Sequence, residues 1–194
     1  MKDLNTAEYW NYKWQQPGND FWANRPETFK LICALVGSEN KILDLGSGVG
    51  ILANELQKNK NDVYCLDISE EAIKEAKRRF NLPGIVAKVP PLPFKGRCFD
   101  VITATEFLEH FPDPTKILAE TSIIAKVAVF GVPNNTLKPK NHPEHMISFD
   151  RTMLRWHLKQ FYEHVEIHEI IEKITTRYPD ILVMPSLIAK AWND

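Results

Sequence analysis

At 194 residues the chain can bury one full core without disulfide or metal staples. Lysine and arginine number 24 against 25 aspartates and glutamates; the net charge of -1 removes any bulk electrostatic case for nucleic acid or an anionic membrane. The 3 cysteines (Cys33, Cys65, Cys98) form no Cys-x-x-Cys pair, so neither a disulfide framework nor a zinc site is indicated. Without an apolar leader or a run of membrane-spanning length, a cytoplasmic location and no membrane insertion are expected.

In chain order, residues 4–14 and 21–36 read as helices on either side of the breaker Gln16-Pro17-Gly18-Asn19. Lys41–Leu45 reads as a strand and Ile51–Asn59 as its helix. Asp62–Leu66 is a second strand, and Ser69 caps a helix from Glu70 to Phe80. Ile85–Ala87 is a short third strand before the turn Pro90-Pro91-Leu92-Pro93. Phe99–Ala104 is a fourth strand, a helix spans Pro114 to Lys126, and Val127–Val132 is a fifth strand. Asp150 caps a helix reaching about His164, and Val165–Ile171 and Ile181–Ile188 read as antiparallel neighbours at the sheet edge. This alternation predicts an α/β fold: a single doubly wound, mainly parallel sheet with an antiparallel edge strand and a helical N-terminal extension. The expected organisation is one domain, residues 1–194, with a cap or lid at 1–37 and the core at 38–194.

The most informative segment is Lys41-Ile-Leu-Asp-Leu-Gly-Ser-Gly-Val-Gly50, a strand ending in three glycines at alternate positions. Glycine lets the backbone turn with φ > 0 and lets a ligand approach its amides, and the following helix aims unpaired N–H groups at that ligand. Asp67, 21 positions after Gly46, stands where a carboxylate meets ribose hydroxyls. A nicotinamide cofactor and S-adenosylmethionine both fit this pair of features. The Gly-x-Gly-x-Gly spacing is one residue short for a pyrophosphate cradle, and Asp44 suits a cationic ammonium, so the second is favoured.

The segment 42–50 resembles the first motif of the class I S-adenosylmethionine-dependent methyltransferases, whose fold is Rossmann-like. Cys65-Leu-Asp-Ile-Ser69, Pro91-Leu-Pro-Phe94 with Phe99-Asp-Val-Ile102, and Phe107-Leu-Glu-His-Phe-Pro-Asp-Pro114 resemble later motifs in the same order. The last is closest to the small-molecule branch that includes quinone-biosynthesis methyltransferases. The resemblance implies that Gly46, Ser47 and Gly48 line the methionine part of the cofactor, with Asp44 near its ammonium. It further implies that Asp67 accepts from the ribose, that Ile68 packs on adenine and that Thr105 sits near the methyl end. Where the family has an acidic residue to accept from the adenine amino group, this chain has Lys88, a donor only, which leaves stacking and the Val89 amide. S-adenosylhomocysteine would be the product, and a small molecule the acceptor.

His110 could serve as a general base, although a loop-orienting role is the commoner one for such a residue. Tyr9, Trp10, Tyr12, Trp14, Phe21 and Trp22 crowd the amino terminus, either as packing or as a lid over cofactor and substrate. His142 and His145 flank Glu144 in the loop after the fifth strand, where Pro143 argues against a helical metal pair; His145 is placed at the substrate mouth and no metal is expected. Two further readings stay open: a cofactor-binding module without transfer activity, kept alive by Lys88, and a nicotinamide-dependent oxidoreductase.

Overall fold

A computed structural model describes residues 4–16, 18, 25–134, 142–175 and 181–194. Among them, seven strands form one mixed sheet in the order β3-β2-β1-β4-β5-β7-β6. The strands are β1 (Lys41–Leu45), β2 (Asp62–Asp67), β3 (Gly84–Val86), β4 (Val101–Thr105), β5 (Val127–Pro133), β6 (His164–Thr175) and β7 (Ile181–Trp192). Strands β1 to β5 run parallel, β7 pairs antiparallel to β5, and β6 pairs antiparallel to β7. The last strand therefore inserts between β5 and β6, and β6 alone forms that edge. Both are also longer than their apolar runs suggest, because their pairing continues from His164↔Trp192 to Thr175↔Ile181.

Helices α1 (Ala7–Gln15), α2 (Pro26–Val36), α3 (Ile51–Lys58), α4 (Glu70–Phe80), α5 (Thr115–Ile124) and α6 (Arg151–Leu158) complete the described fold. Side-chain alternation along the strands sorts the core into two layers. Ile42, Val63, Val101 and Val129 pack with residues of α2, α3 and α4 on one face. Leu43, Leu66, Ile102 and Phe130 pack with residues of α5 and α6 on the other. Helix α1 buries no residue and belongs to neither layer. It lies across the carboxyl ends of the strands, where open α/β sheets bind ligands.

Several boundaries differ from the sequence reading. Helix α1 starts at Ala7 because Thr6 caps it, its Oγ1 accepting from the Tyr9 amide at 3.2 Å. Positions 21–24 of the second expected helix, with Phe21 and Trp22, lie outside the described residues. The helix capped by Asp150 ends at Leu158, well short of His164. There a tight turn, with the Phe161 and Tyr162 amides both donating to the Leu158 carbonyl, drives Tyr162 into the core. Its ring packs edge-on to Phe130, and its hydroxyl lies 3.0 Å from Thr121 Oγ1, which donates to the Leu118 carbonyl. A turn that buries an aromatic residue outweighs the further helical turn that local propensity favours.

Tyr162→Phe should cost about 1 kcal/mol, a buried hydrogen bond lost without change of shape, and lower Tm by about 2–4 °C. Thermal unfolding of the two proteins checks this; an unchanged Tm would mean the hydroxyl contributes nothing to the β5–α5 packing.

Candidate functional site

The glycine turn after β1 is held from β2. The amides of Gly46 and Ser47 both donate to the Leu66 carbonyl, at 2.8 and 3.1 Å. One residue on, Asp67 accepts from the Gly48 amide through Oδ2 (2.9 Å) and from the Ser69 amide through Oδ1 (2.8 Å). Each oxygen keeps a lone pair for a further donor. Burial pushes the Asp67 carboxyl above the ordinary range, while these amides work in the opposite direction. Gly46 and Gly48 adopt φ of +71° and +51°. A Cβ at Gly46 would stand 2.4 Å from the Phe107 ring, and one at Gly48 would stand 2.7 Å from Trp14. Only glycine satisfies both the backbone conformation and the aromatic cover.

Two cavities meet across Gly46. The larger, about 460 Å³, takes in Asp67, Ile68, Lys88 and Val89. The other, about 320 Å³, takes in Asp44, Ser47, Gly48, Thr105 and His145. Trp10, Trp14 and His110 line both. The fold thus gathers every candidate cofactor-contacting residue at one cleft, together with His110, His145, Trp10 and Trp14. Tyr9 is the exception: it lines neither cavity and meets Trp10 edge-on at 5.4 Å.

Asp44 is fully enclosed, its Oδ1 accepting from Thr103 Oγ1 at 2.7 Å on the neighbouring strand. Desolvation pushes its pKa up to about 7, opposed by the threonine and reinforced by the charge of Asp67. His110 donates from Nδ1 to the Glu144 carbonyl (3.0 Å); since a carbonyl only accepts, Nδ1 carries the proton. Burial lowers the pKa of His110 to about 4, which makes it a weak proton acceptor.

Polar ties bind α1 over the cleft. Asn11 Oδ1 accepts from Ser69 Oγ at 2.7 Å, Lys13 pairs with Glu144 at 3.2 Å, and the Asn5 side chain donates to the His110 carbonyl. Aromatic density at the amino terminus left packing and a lid both open, and nothing local signalled these ties. Also missed was the ion network on the far wall. Arg25, 3% exposed, donates to Glu106 and Ser186 (both 2.5 Å) and faces Glu172 at 3.4 Å. Glu172 in turn accepts from the Glu27 amide and Thr28 Oγ1 at the start of α2. Arg25 and Glu172 are far apart in the chain, so no spacing rule could pair them.

Residues 43–127 match the family model described as a methyltransferase domain. The chain is 26% identical over 132 residues to a ubiquinone biosynthesis O-methyltransferase of Nitrosomonas europaea, covering 59% of this chain and 54% of that protein. To the one of Methylococcus capsulatus it is 31% identical over 107 residues, covering 50% and 45%. The chain spans about half the length of these curated relatives. Among solved structures, the N-methyltransferase NodS of Bradyrhizobium japonicum, in complex with S-adenosylhomocysteine, superposes with a TM-score of 0.73 at 16% identity, covering 97% of this chain and 98% of that one. A SAM-dependent methyltransferase of Methanosarcina mazei gives 0.64 at 20% identity, covering 84% and 98%. These two likenesses show the fold, a Rossmann-like α/β methyltransferase fold.

Asp44 yields a pH-dependent stability with a definite sign. Its carboxyl titrates near pH 7 when folded and near pH 4 when unfolded, so folding takes up a proton between those values. Stability therefore falls as pH rises from about 4 to about 7, with the full cost of the buried charge above that. Asp44→Asn keeps an acceptor for Thr103 and removes the charge. It should raise Tm at pH 8 by about 4–8 °C, on the order of 2 kcal/mol, and by much less at pH 5. Equal shifts at the two pH values would contradict the assignment.

Proposed function

We propose that this chain, built on the fold of the class I S-adenosylmethionine-dependent methyltransferase superfamily, transfers a methyl group from S-adenosylmethionine to a small-molecule acceptor. The observation that carries the reading is the pair of buried carboxylates, one on each of two joined cavities, with the glycine turn between them. Asp44 is a buried anion with one neutral partner, a fit for an ammonium group. Asp67 has lone pairs left for the ribose hydroxyls. Gly46 has no side chain to block the path between them. The residues fit the cofactor.

S-adenosylmethionine supplies a methyl group already activated on a sulfonium sulfur. The work left to the chain is alignment and exclusion of water. In this reading Asp44 and Asp67 fix the two ends of the donor, and Thr105 stands at the end of β4 beside its middle. Trp10 and Trp14 cover the cleft from α1 and bound the acceptor space. The curated relatives are O-methyltransferases of ubiquinone biosynthesis, which makes a hydroxyl on a hydrophobic ring the acceptor to try first. Lys88 lines the adenosine-side cavity and cannot accept from the adenine amino group, which keeps a silent cofactor-binding module as the second reading.

Calorimetry with S-adenosylhomocysteine should give one site in the micromolar range, tighter at pH 8 than at pH 6 because Asp44 must be ionised. Asp67→Asn should weaken it by about ten-fold or more, the loss of a charge-assisted hydrogen-bond acceptor. Absence of binding, or stronger binding of NADH, would overturn the proposal. Binding without turnover on any phenolic, catecholic or amine acceptor would transfer the case to the silent module.

A further inference from the structure

The cleft lies at the carboxyl ends of the parallel strands, where Asp44, Asp67 and Glu109 are buried. The opposite end of the sheet carries the reverse charge. There a cavity of about 410 Å³ is lined by Lys41 at the start of β1, Arg97 ahead of β4, Lys126 just before β5 and Lys190 near the end of β7. Asp100 is the one carboxylate that lines it among the described residues. The whole chain has 24 basic and 25 acidic residues, so this excess belongs to the cavity and not to the surface at large.

Strand pairing assembles the group. β1, β4 and β5 are neighbours that all start at this end, and antiparallel β7 finishes there, with Trp192 opposite Val127 and Lys190 opposite Val129. The four cations are scattered along the chain, so no basic run announces them.

Each cation is placed by something other than an acid. Lys41 Nζ stands 5.4 Å from the ring centroids of both Tyr64 and Phe99, which orient an ammonium without cancelling its charge. Lys190 Nζ donates to the Leu35 carbonyl at 2.9 Å, in the last turn of α2, and keeps two further N–H donors. Arg97 and Lys126 are exposed at the rim. Asp100 ties backbone together: its Oδ2 accepts from the Lys41 amide at 2.8 Å, and its own amide donates to the Lys41 carbonyl at 2.9 Å. Among the described residues none of the four cations forms an ion pair with a carboxylate.

We propose that this cavity binds a compact polyanion, a phosphate ester or diphosphate, at the end of the sheet opposite the cleft. Like charges around one concavity repel, and a multiply charged counter-ion relieves that cost where a single carboxylate leaves most of it. Buried Val36, Phe99 and Val101 give the cavity apolar walls, which concentrate the field of the cations on its contents. A guanidinium fork and ammonium point charges are the side-chain groups that hold phosphate oxygens. Nucleic acid would need a basic stripe along its backbone, and a chain of net charge -1 with one basic concavity fits a small anion better. The cavity shares no lining residue with the two at the cleft, so this site stands whether or not the chain transfers methyl groups.

The test is calorimetric titration of the full chain with inorganic pyrophosphate at low and at physiological salt. One equivalent should bind with a Kd below about 1 mM, more weakly at the higher salt. Arg97→Ala combined with Lys126→Ala should weaken binding by about ten-fold or more. Lys74→Ala, an exposed lysine of α4 already paired with Glu70, should leave it unchanged. Circular dichroism checks the fold of the double variant, and Lys126→Gln alone decides the matter if the pair does not fold. S-adenosylhomocysteine titrated into the same variants should bind as it does to the parent, which keeps the outcome at this cavity separate from the outcome at the cleft. No saturable pyrophosphate binding, equal binding of sulfate, or binding unchanged in the folded double variant would overturn the site. Displacement of pyrophosphate by a single-stranded RNA oligonucleotide of higher affinity would overturn the compact-anion assignment in favour of nucleic acid.

Discussion

The carboxyl end of β2 holds the rest of the site in register. Leu66 offers its carbonyl to two amides of the glycine turn, and Asp67 offers its carboxylate to a third. Three contacts across one strand pair fix where the turn lies, and the turn fixes where the two cavities join. With Gly46 and Gly48 both in left-handed conformations, the turn would not hold this shape by propensity alone. Asp67 is therefore a structural clamp as well as a candidate ligand-binding group. Removing its charge would loosen the turn and the site together.

Asp44 and the half-buried Glu106 line the smaller cavity, Glu109 is buried next to His110 in the chain, and each is stabilised differently. Asp44 has a threonine donor, Glu106 has Arg25, and Glu109 has no hydrogen-bond partner. An enclosed site with this much carboxylate is expensive unless its contents are positively charged. A cationic cofactor tail beside Asp44 would relieve one of those costs. The Arg25 network ties the start of α2 to the residue after β4, to β6 and to β7 in one wall.

Much of this was legible in the chain because its signals are local. The run Lys41–Gly50 contains strand, turn and helix start within ten residues, and Asp67 ends the next strand at a fixed remove. The parallel half of the sheet followed from alternation of strands and helices. The remainder depends on contacts that no spacing encodes. β7 lies between β5 and β6 because its pairing with β5 runs from Trp192 to Ser186, a partner over fifty positions away. Tyr162 stops a helix that its neighbours favour, through a core contact with Phe130 and Thr121. His145 meets Glu109 only through the Met146 and Ile147 amides, so that juxtaposition is invisible until the chain has folded.

The most direct measurement is a crystal structure of the full chain grown with S-adenosylhomocysteine. The account predicts ligand density running through both cavities across Gly46, with the ribose hydroxyls on Asp67 and the amino-acid tail on Asp44. Density confined to another surface, or a ligand whose tail points away from Asp44, would contradict it.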